Sequence, residues 1–244
     1  MGETLEPTPW VPPTGRAAEI MAAAAGVFSE RGFEGASVAE IARRAGISEG
    51  AIYKHFESKR HLLLEVIRSF YEPGIAEVQR DLAGVDGTRN KLRFIIWRQL
   101  RVYADQPGLC RLVIREIRAG DGYYDSEFHA LSRRYTQIAV DVVREAIARG
   151  EMREGVSPSM VRDVVFGSVE HLAWALMTTE RADGVDLERR ADELTALLMG
   201  GLAPARPVAT DTQDTAARME RAVARLEALA DAMEKKMEGS HGHD

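Results

Sequence analysis

The 244-residue chain is 45% hydrophobic and 29% charged with a formal net charge of -6, the balance of a soluble globular protein with apolar residues enough for one large core or two ordinary ones. No apolar run approaches the roughly 20 residues that cross a bilayer, and the acidic, proline-rich N-terminus fits neither a secretion signal nor a membrane anchor, so a cytoplasmic protein is expected. The one cysteine, Cys110, can form no intramolecular disulfide and lies in an apolar helical context, as a buried inert thiol would.

Residues 1–13 contain Pro7, Pro9, Pro12 and Pro13, which disfavour helix and predict a disordered arm; Glu3 and Glu6 leave it without a base to hold DNA. A first domain is expected over 14–72. From Arg16, the stripe Ile20, Ala23, Val27 and Phe28 predicts a helix that stops at Gly32, with Phe33 filling the space beneath a helix-turn-helix. Ser37 and Glu40 form a capping box that starts a second helix, in which Val38, Ile41, Ala42 and Ala45 share the buried face and Arg43 and Arg44 the other. Gly46 can take the left-handed conformation of a helix stop, Ile47 plugs back onto the apolar face, and Ser48 is the next N-cap.

The short third helix is anchored by Ile52 and Phe56 and displays Glu49, Gly50, Ala51, Tyr53, Lys54 and His55, the face that DNA would meet. Ala42, Gly50 and Ala51 are small where helices cross steeply or a backbone enters a groove. Between Arg43 and Arg60 five Lys or Arg stand against Glu49 and Glu57, a balance of +3 within an acidic chain, placed where phosphates would lie. Ser58 then caps a fourth helix with Leu62, Leu63, Val66, Ile67 and Phe70 inside, expected to end near Pro73 and Gly74.

Phe28, Gly32, Ser37, Ile41, Ala42, Gly46, Ile47, Ser48, Ile52, Tyr53, His55, Phe56, Lys59 and Leu62, in that order, resemble the N-terminal DNA-binding domain of TetR-type transcriptional regulators. The resemblance implies that the third helix enters the major groove, that Tyr53 and Lys59 grip phosphates, and that a helical C-terminal domain dimerises and binds a small molecule. Ser37, Arg43, Arg44, Ser48, Glu49, Gly50, Ala51, Tyr53, Lys54, His55 and Lys59 are then the candidate DNA-binding residues, and the partner is a palindromic operator in double-stranded DNA.

Residues 73–202 carry no convincing strand pattern and predict a helical bundle with helices at 74–83, 88–105, 108–119, 125–149, 158–179 and 187–202, set apart by glycine and proline signals. Ser157 with Pro158 is a strong start. The fold class expected is therefore all-α: a three-helix helix-turn-helix domain, a helical effector-binding and dimerisation bundle, and an extra C-terminal helix. The segment from Trp97 to Phe128 and the string from Phe166 to Leu176 are similar to the acyl-CoA-responsive branch of TetR regulators, which repress fatty-acid degradation genes.

That similarity implies a long-chain acyl-CoA effector; drugs and aromatic-acid thioesters, hence control of efflux or aromatic-acid pathways, fit the same divergent domain. Candidate effector residues are Trp97, Leu100, Tyr103, Leu112, Val113, Glu116, Phe128, Leu131, Tyr135, Phe166, Glu170 and Trp174, with Arg98, Arg101, Arg115, Arg118, Arg133 and Arg134 available for CoA phosphates. Pairing of Glu116 or Glu170 with Arg or His is the simpler reading of those carboxylates. The last two helices offer Val161, Val165, Leu172, Leu194, Leu197 and Leu198 for a four-helix homodimer contact.

A linker is expected over 203–211, and over 212–238 a heptad seam of Met219, Val223, Leu226, Ala230, Met233 and Met237 predicts an amphipathic or coiled-coil helix before a disordered tail at 239–244. His241 and His243 lack the ligand count of a metal site, and no metal or cofactor is expected. No nucleotide, zinc or nucleophile-elbow motif is present, which argues against an enzyme. A helical protein-interaction scaffold would account for the tail and leave the basic helix-turn-helix unexplained.

Overall fold

In a computed structural model of the chain, the residues described are 10–118, 122–178, 185–204, 220–221 and 223–224, with backbone alone at positions 116, 175, 176 and 178. Nine α-helices and no strand occur among them. No helix among the described residues is long and apolar enough to cross a membrane. The chain divides into a unit over Met1–Pro204 and another over Ala205–Asp244. Most of the second unit, including the expected seam apart from Val223, lies outside the described residues; Val223 is helical and exposed.

Helix α1 runs Gly15–Gly35 with a break at Gly32, whose φ of 72° only glycine adopts without strain. Helix α2 (Val38–Ala45) starts on Ser37, whose hydroxyl accepts from the Glu40 amide at 3.1 Å, and ends on left-handed Gly46; the Ile47 amide then donates back to Ala42 O at 3.0 Å. Helix α3 is the five-residue Glu49–Tyr53. Ile20, Ala24, Val27, Phe28, Ile41, Ile52, Phe56 and Leu62 close one core beneath them. The residues just before α1 are not wholly free, because the Trp10 indole donates to Glu65 Oε2 at 3.0 Å.

Helix α4 (Lys59–Ala83) overturns the expected stop at Pro73. A proline inside a helix removes one backbone hydrogen bond and crowds the carbonyl four residues back. Here the loss is outweighed because the apolar stripe continues past it through Ile75, Val78 and Leu82, all buried. Ion pairs also hold the middle of α4 to α7 (Glu127–Ala148): Arg134 grips Glu72 through both nitrogens at 2.6 and 2.9 Å, and Arg68 reaches Glu127 at 3.2 Å. The boundary expected at residue 73 thus falls inside a continuous helix.

Helix α5 (Thr88–Asp105) and α6 (Pro107–Leu112) come next in the chain, and α6 runs on as one π-helical segment, Val113–Ile117. A 3₁₀ turn at Tyr123–Asp125 leads into α7. Helix α8 (Pro158–Thr178) starts with the Met160 amide on Ser157 Oγ at 3.3 Å, as the Ser-Pro pair predicts, and α9 spans Leu187–Leu202. Helices α8 and α9 pack on α5 around a second core containing Leu92, Ile96, Leu100, Val143, Val165 and Met177.

The expected spine helix α7 is shared between the cores. Phe128 and Leu131 join the core of α1–α4, together with Leu109, Leu112 and Ile117, whereas Ile138, Val142 and Ala146 join that of α5, α8 and α9.

Candidate DNA-reading face and effector cavity

The two caps around Gly46 fix the angle between α2 and α3, and the burial of Ile52 and Phe56, 2% and 3% exposed, decides which side of α3 faces outward. Glu49, Gly50, Tyr53, Lys54 and His55 are exposed and Ala51 partly so. Lys54 and His55 lie on the turn after α3 rather than on the helix itself. Ser48 holds the N-cap position without a side-chain cap bond, while the Ser37 hydroxyl is engaged by its own helix.

The basic residues divide into free and tethered. Arg43 is well exposed, with Glu40 no nearer than 4.0 Å. Arg44 is tethered by a two-pronged contact with Glu30, both at 2.7 Å, whose hydrogen bonds hold the Glu30 carboxyl below its ordinary range. Lys59 departs from the expectation of a phosphate grip, since its ammonium donates to Phe33 O at 2.8 Å and Ala36 O at 3.0 Å. The carbonyls at the end of α1 have no helical partners, so a cation there is more favourable than one left in solvent.

Above these helices a cavity of 830 Å³ lies between α4, α5, the α6–π segment, α7 and α8. Of the twelve candidate effector residues, Tyr103, Val113, Tyr135, Phe166 and Glu170 line it. Leu112, Phe128 and Leu131 do not, being packed into the core of the reading head, and Trp97 and Leu100 pack in the second core. Trp174 is 40% exposed on α8, with the Arg115 guanidinium 5.4 Å from its ring centre. The Glu116 side chain lies outside the described residues.

Several lining residues had escaped the sequence reading. Tyr71 contributes an aromatic edge to Tyr135 at 5.8 Å, and Tyr135 one to Phe166 at 6.0 Å. Burial pushes the phenols of Tyr71 and Tyr103 above their ordinary range and that of Tyr135 up to about 12. Cys110 also lines the cavity, its thiol pushed up to about 12 by burial, consistent with the inert thiol expected. Gln99, 8% exposed, interrupts the apolar stripe of Leu92, Ile95, Ile96 and Leu100; that interruption was the signal available in the sequence.

Among the lining cations, Arg98 pairs with Glu77 at 2.9 Å, Arg118 with Glu170, and Arg162 with Asp163 at 2.8 Å, while Arg133 is exposed. Arg134 and Arg101 are turned elsewhere, to Glu72 and Asp105. The Arg118–Glu170 pair fits the simpler reading of the Glu170 carboxylate. The cavity therefore has aromatic and aliphatic walls, the three tyrosines Tyr71, Tyr103 and Tyr135, of which Tyr103 is buried, and a cationic border with its charges mostly compensated. Among the described residues no group of three or more His, Cys, Asp or Glu could hold a metal ion.

The expected dimer residues also divide. Val161, Val165, Leu194 and Leu198 are buried within the chain's own core, because α8 and α9 turn those positions toward α5. Leu172 and Leu197 are exposed, at 37% and 76%, and flank a groove between α8 and α9 with His171 and Arg190. Met160 and Val164, missed in the sequence, extend the exposed apolar surface along α8.

A helix-turn-helix head built into a helical body defines a DNA-binding protein of the helix-turn-helix class. Residues 20–66 match the family of bacterial regulatory proteins, tetR family, and residues 86–174 match the tetracyclin repressor-like C-terminal domain. Together the matches span more than half of the chain, and it belongs to the TetR family of transcriptional regulators.

Among its relatives, the fatty acid metabolism regulator protein of Bacillus subtilis is 23% identical over 184 residues, covering 75% of this chain and 94% of that one. The repressor KstR2 of Mycobacterium tuberculosis is 28% identical over 192 residues, covering 77% and 92%. The backbone of the chain resembles that of the FadR regulator of B. subtilis crystallised with stearoyl-CoA, with a TM-score of 0.67 and 24% identity over 75% of this chain and 97% of that one.

Proposed function

We infer that this chain is a dimeric repressor that leaves a palindromic operator when a long-chain acyl-CoA enters the cavity. The observation that carries the reading is one stretch of backbone with two memberships: α6 and its π segment give Leu109, Leu112 and Ile117 to the core of the reading head, and Leu109, Cys110, Val113 and Ile114 to the cavity wall. A ligand that displaces this wall also displaces groups packed beneath α1. The stearoyl-CoA held by the FadR regulator supports the choice of effector, and the likeness to the repressor KstR2 supports repression.

In this reading Tyr53, Lys54, His55 and Arg43 meet the DNA backbone while Glu49, Gly50 and Ala51 let α3 enter the major groove. Two such helices in a symmetric dimer, about 34 Å apart or a multiple of it, require a palindrome. The exposed apolar surface of Met160, Val164, Leu172 and Leu197 supplies the dimer contact. Arg133, Arg98 and Arg118 stand where CoA phosphates can reach them. A tenfold loss of operator affinity needs about 1.4 kcal/mol of preference for the DNA-incompetent form, and each buried methylene contributes about 0.8 kcal/mol.

The test is a mobility shift on DNA from upstream of the protein's own gene, with saturated acyl-CoAs of graded length added. Release that strengthens with chain length until the cavity is full supports the reading. Indifference to length, or release by hydrophilic compounds alone, overturns the effector; binding to no duplex at low salt overturns the regulator.

A further inference from the structure

Three rings stand together where the cavity meets solvent. Tyr123, Tyr124 and His129 all line the cavity. Their ring centres are 5.4 Å (Tyr123 to Tyr124), 5.2 Å (Tyr123 to His129) and 5.3 Å (Tyr124 to His129) apart, with planes crossing at 66°, 65° and 73°, so each edge meets a neighbouring face. Ser126 ties two of them together, its hydroxyl donating to the Tyr123 carbonyl and accepting from the His129 amide as the N-cap of α7. Tyr124 is braced by this packing and yet 79% exposed, the most exposed large hydrophobic side chain among the described residues. A held ring open to solvent is a stacking surface for another planar π system.

The neighbouring groups specify the kind of π system. His129, Ser132, Arg133 and Thr136 recur at the three- and four-residue spacing of one face of α7 and all line the cavity, a polar stripe beside the rings. Arg133 is exposed and, among the described residues, is the lining arginine without an ion pair, since Arg98, Arg118 and Arg162 hold Glu77, Glu170 and Asp163. It lies one turn beyond His129, ~6 Å along the helix, the reach of a ribose between a base and its phosphates. An aromatic plate with an uncompensated guanidinium one turn away suits a nucleotide, and an alkyl chain needs neither. Resting on the reading of the cavity as an acyl-CoA site, we propose that Tyr124 stacks on the adenine of CoA while Arg133 takes its phosphates. The protein then answers to the nucleotide end of its effector as well as to the chain, and an acyl group on a shorter carrier is a poor substitute.

The experiment compares octadecanoyl-CoA, octadecanoyl-phosphopantetheine, which lacks the adenosine, and ADP, which lacks the chain, by calorimetry on the full-length protein. The CoA thioester should bind on the order of tenfold tighter than the phosphopantetheine thioester, and ADP alone should bind far more weakly than either. Tyr124→Leu, which keeps an apolar side chain and removes the ring, should erase most of that advantage and leave the phosphopantetheine thioester unchanged, whereas Tyr124→Trp should keep it. Arg133→Gln should weaken the CoA thioester and flatten the salt dependence of its binding. Should Tyr124→Leu melt far below the natural protein, Tyr124→Ala with the same ligands makes the same comparison.

Equal affinity for the two thioesters, an advantage that survives removal of the ring at position 124, or equal weakening of both thioesters by that removal would overturn the proposal and leave the acyl-CoA reading standing. ADP bound as tightly as octadecanoyl-CoA would mark a site for free nucleotides and overturn the proposal as well. Binding of neither thioester would overturn both readings.

Discussion

The Lys59 ammonium sits 2.8 Å from the carbonyl oxygen of Phe33 and 4.4 Å from the centre of its ring, so one cation closes the C-terminal end of α1 and covers an aromatic face at the same time. With Ala36 O at 3.0 Å as a further acceptor, the residue couples the first helix of the reading head to the start of the fourth. Replacing Lys59 by Ala should therefore lower stability by about 1–3 kcal/mol, read as a shifted denaturant midpoint. Tyr53→Ala should leave the midpoint within about 0.5 kcal/mol, its side chain being largely exposed, yet weaken binding to specific and random DNA alike. A stable Lys59→Ala protein would show that the capping contacts are dispensable.

Leu197→Glu combined with Leu172→Glu should yield a folded monomer that no longer shifts the palindrome, because both side chains are exposed in the chain itself. Leu194→Glu or Leu198→Glu should unfold the bundle instead, since burying a lone carboxylate there has no partner to offset it. Sedimentation and circular dichroism together separate the two outcomes. A tight dimer in the double variant would place the contact on another face.

At the crossing of α1 and α6, a Cβ added to Gly108 would lie 2.8 Å from Ser29 Cβ, closer than packed side chains allow. Gly108→Ala should cost roughly 1–3 kcal/mol by overpacking and weaken the link between effector and operator. Ser29→Gly in the same chain should restore most of the loss. Failure of that rescue would mean that the crossing is not what Gly108 serves.

Cys110 and Tyr135 are held protonated in the fold to about 12, against ordinary values of 9.0 and 10.0, and Tyr71 and Tyr103 move in the same direction, in each case chiefly through burial. The folded chain thus keeps protons that the unfolded chain gives up. The stability these groups contribute is fully present below about pH 9 and is lost as pH rises through 9 to 12. Melting temperatures should fall across that window, and Cys110→Ala or Tyr135→Phe should flatten the fall; a profile unchanged by either would argue that these groups titrate normally.

The helix-turn-helix was legible because its determinants are local. Ser37 with Glu40, Gly46 with Ile47, and the stripe through Ile52 and Phe56 each act within a few residues of chain, and each holds in three dimensions. The cavity was only half legible. Leu112 and Val113 are neighbours in one apolar run, yet Leu112 is sealed in the core of the reading head while Val113 packs against that core and also lines the cavity, a difference set by the π segment and by helices far off in sequence. Pro73 misled for the same reason: a local breaker lost to burial of Ile75 and Val78 and to the distant partner Arg134. Val165 and Leu198 read as interface because a core stripe and an interface stripe use the same residues.

The double membership of α6 also bears on how such a regulator can acquire a new taste. Substitutions at Leu109 reshape the cavity and loosen the reading head together, so each trial of a new effector there risks the grip on DNA. Val102, Tyr135 and Phe166 line the cavity without belonging to that core, which leaves α5, α7 and α8 as the side on which specificity can drift while the operator is still read. Retargeting libraries for a biosensor built on this chain belong at those positions, and natural diversification under selection for new effectors should accumulate there first.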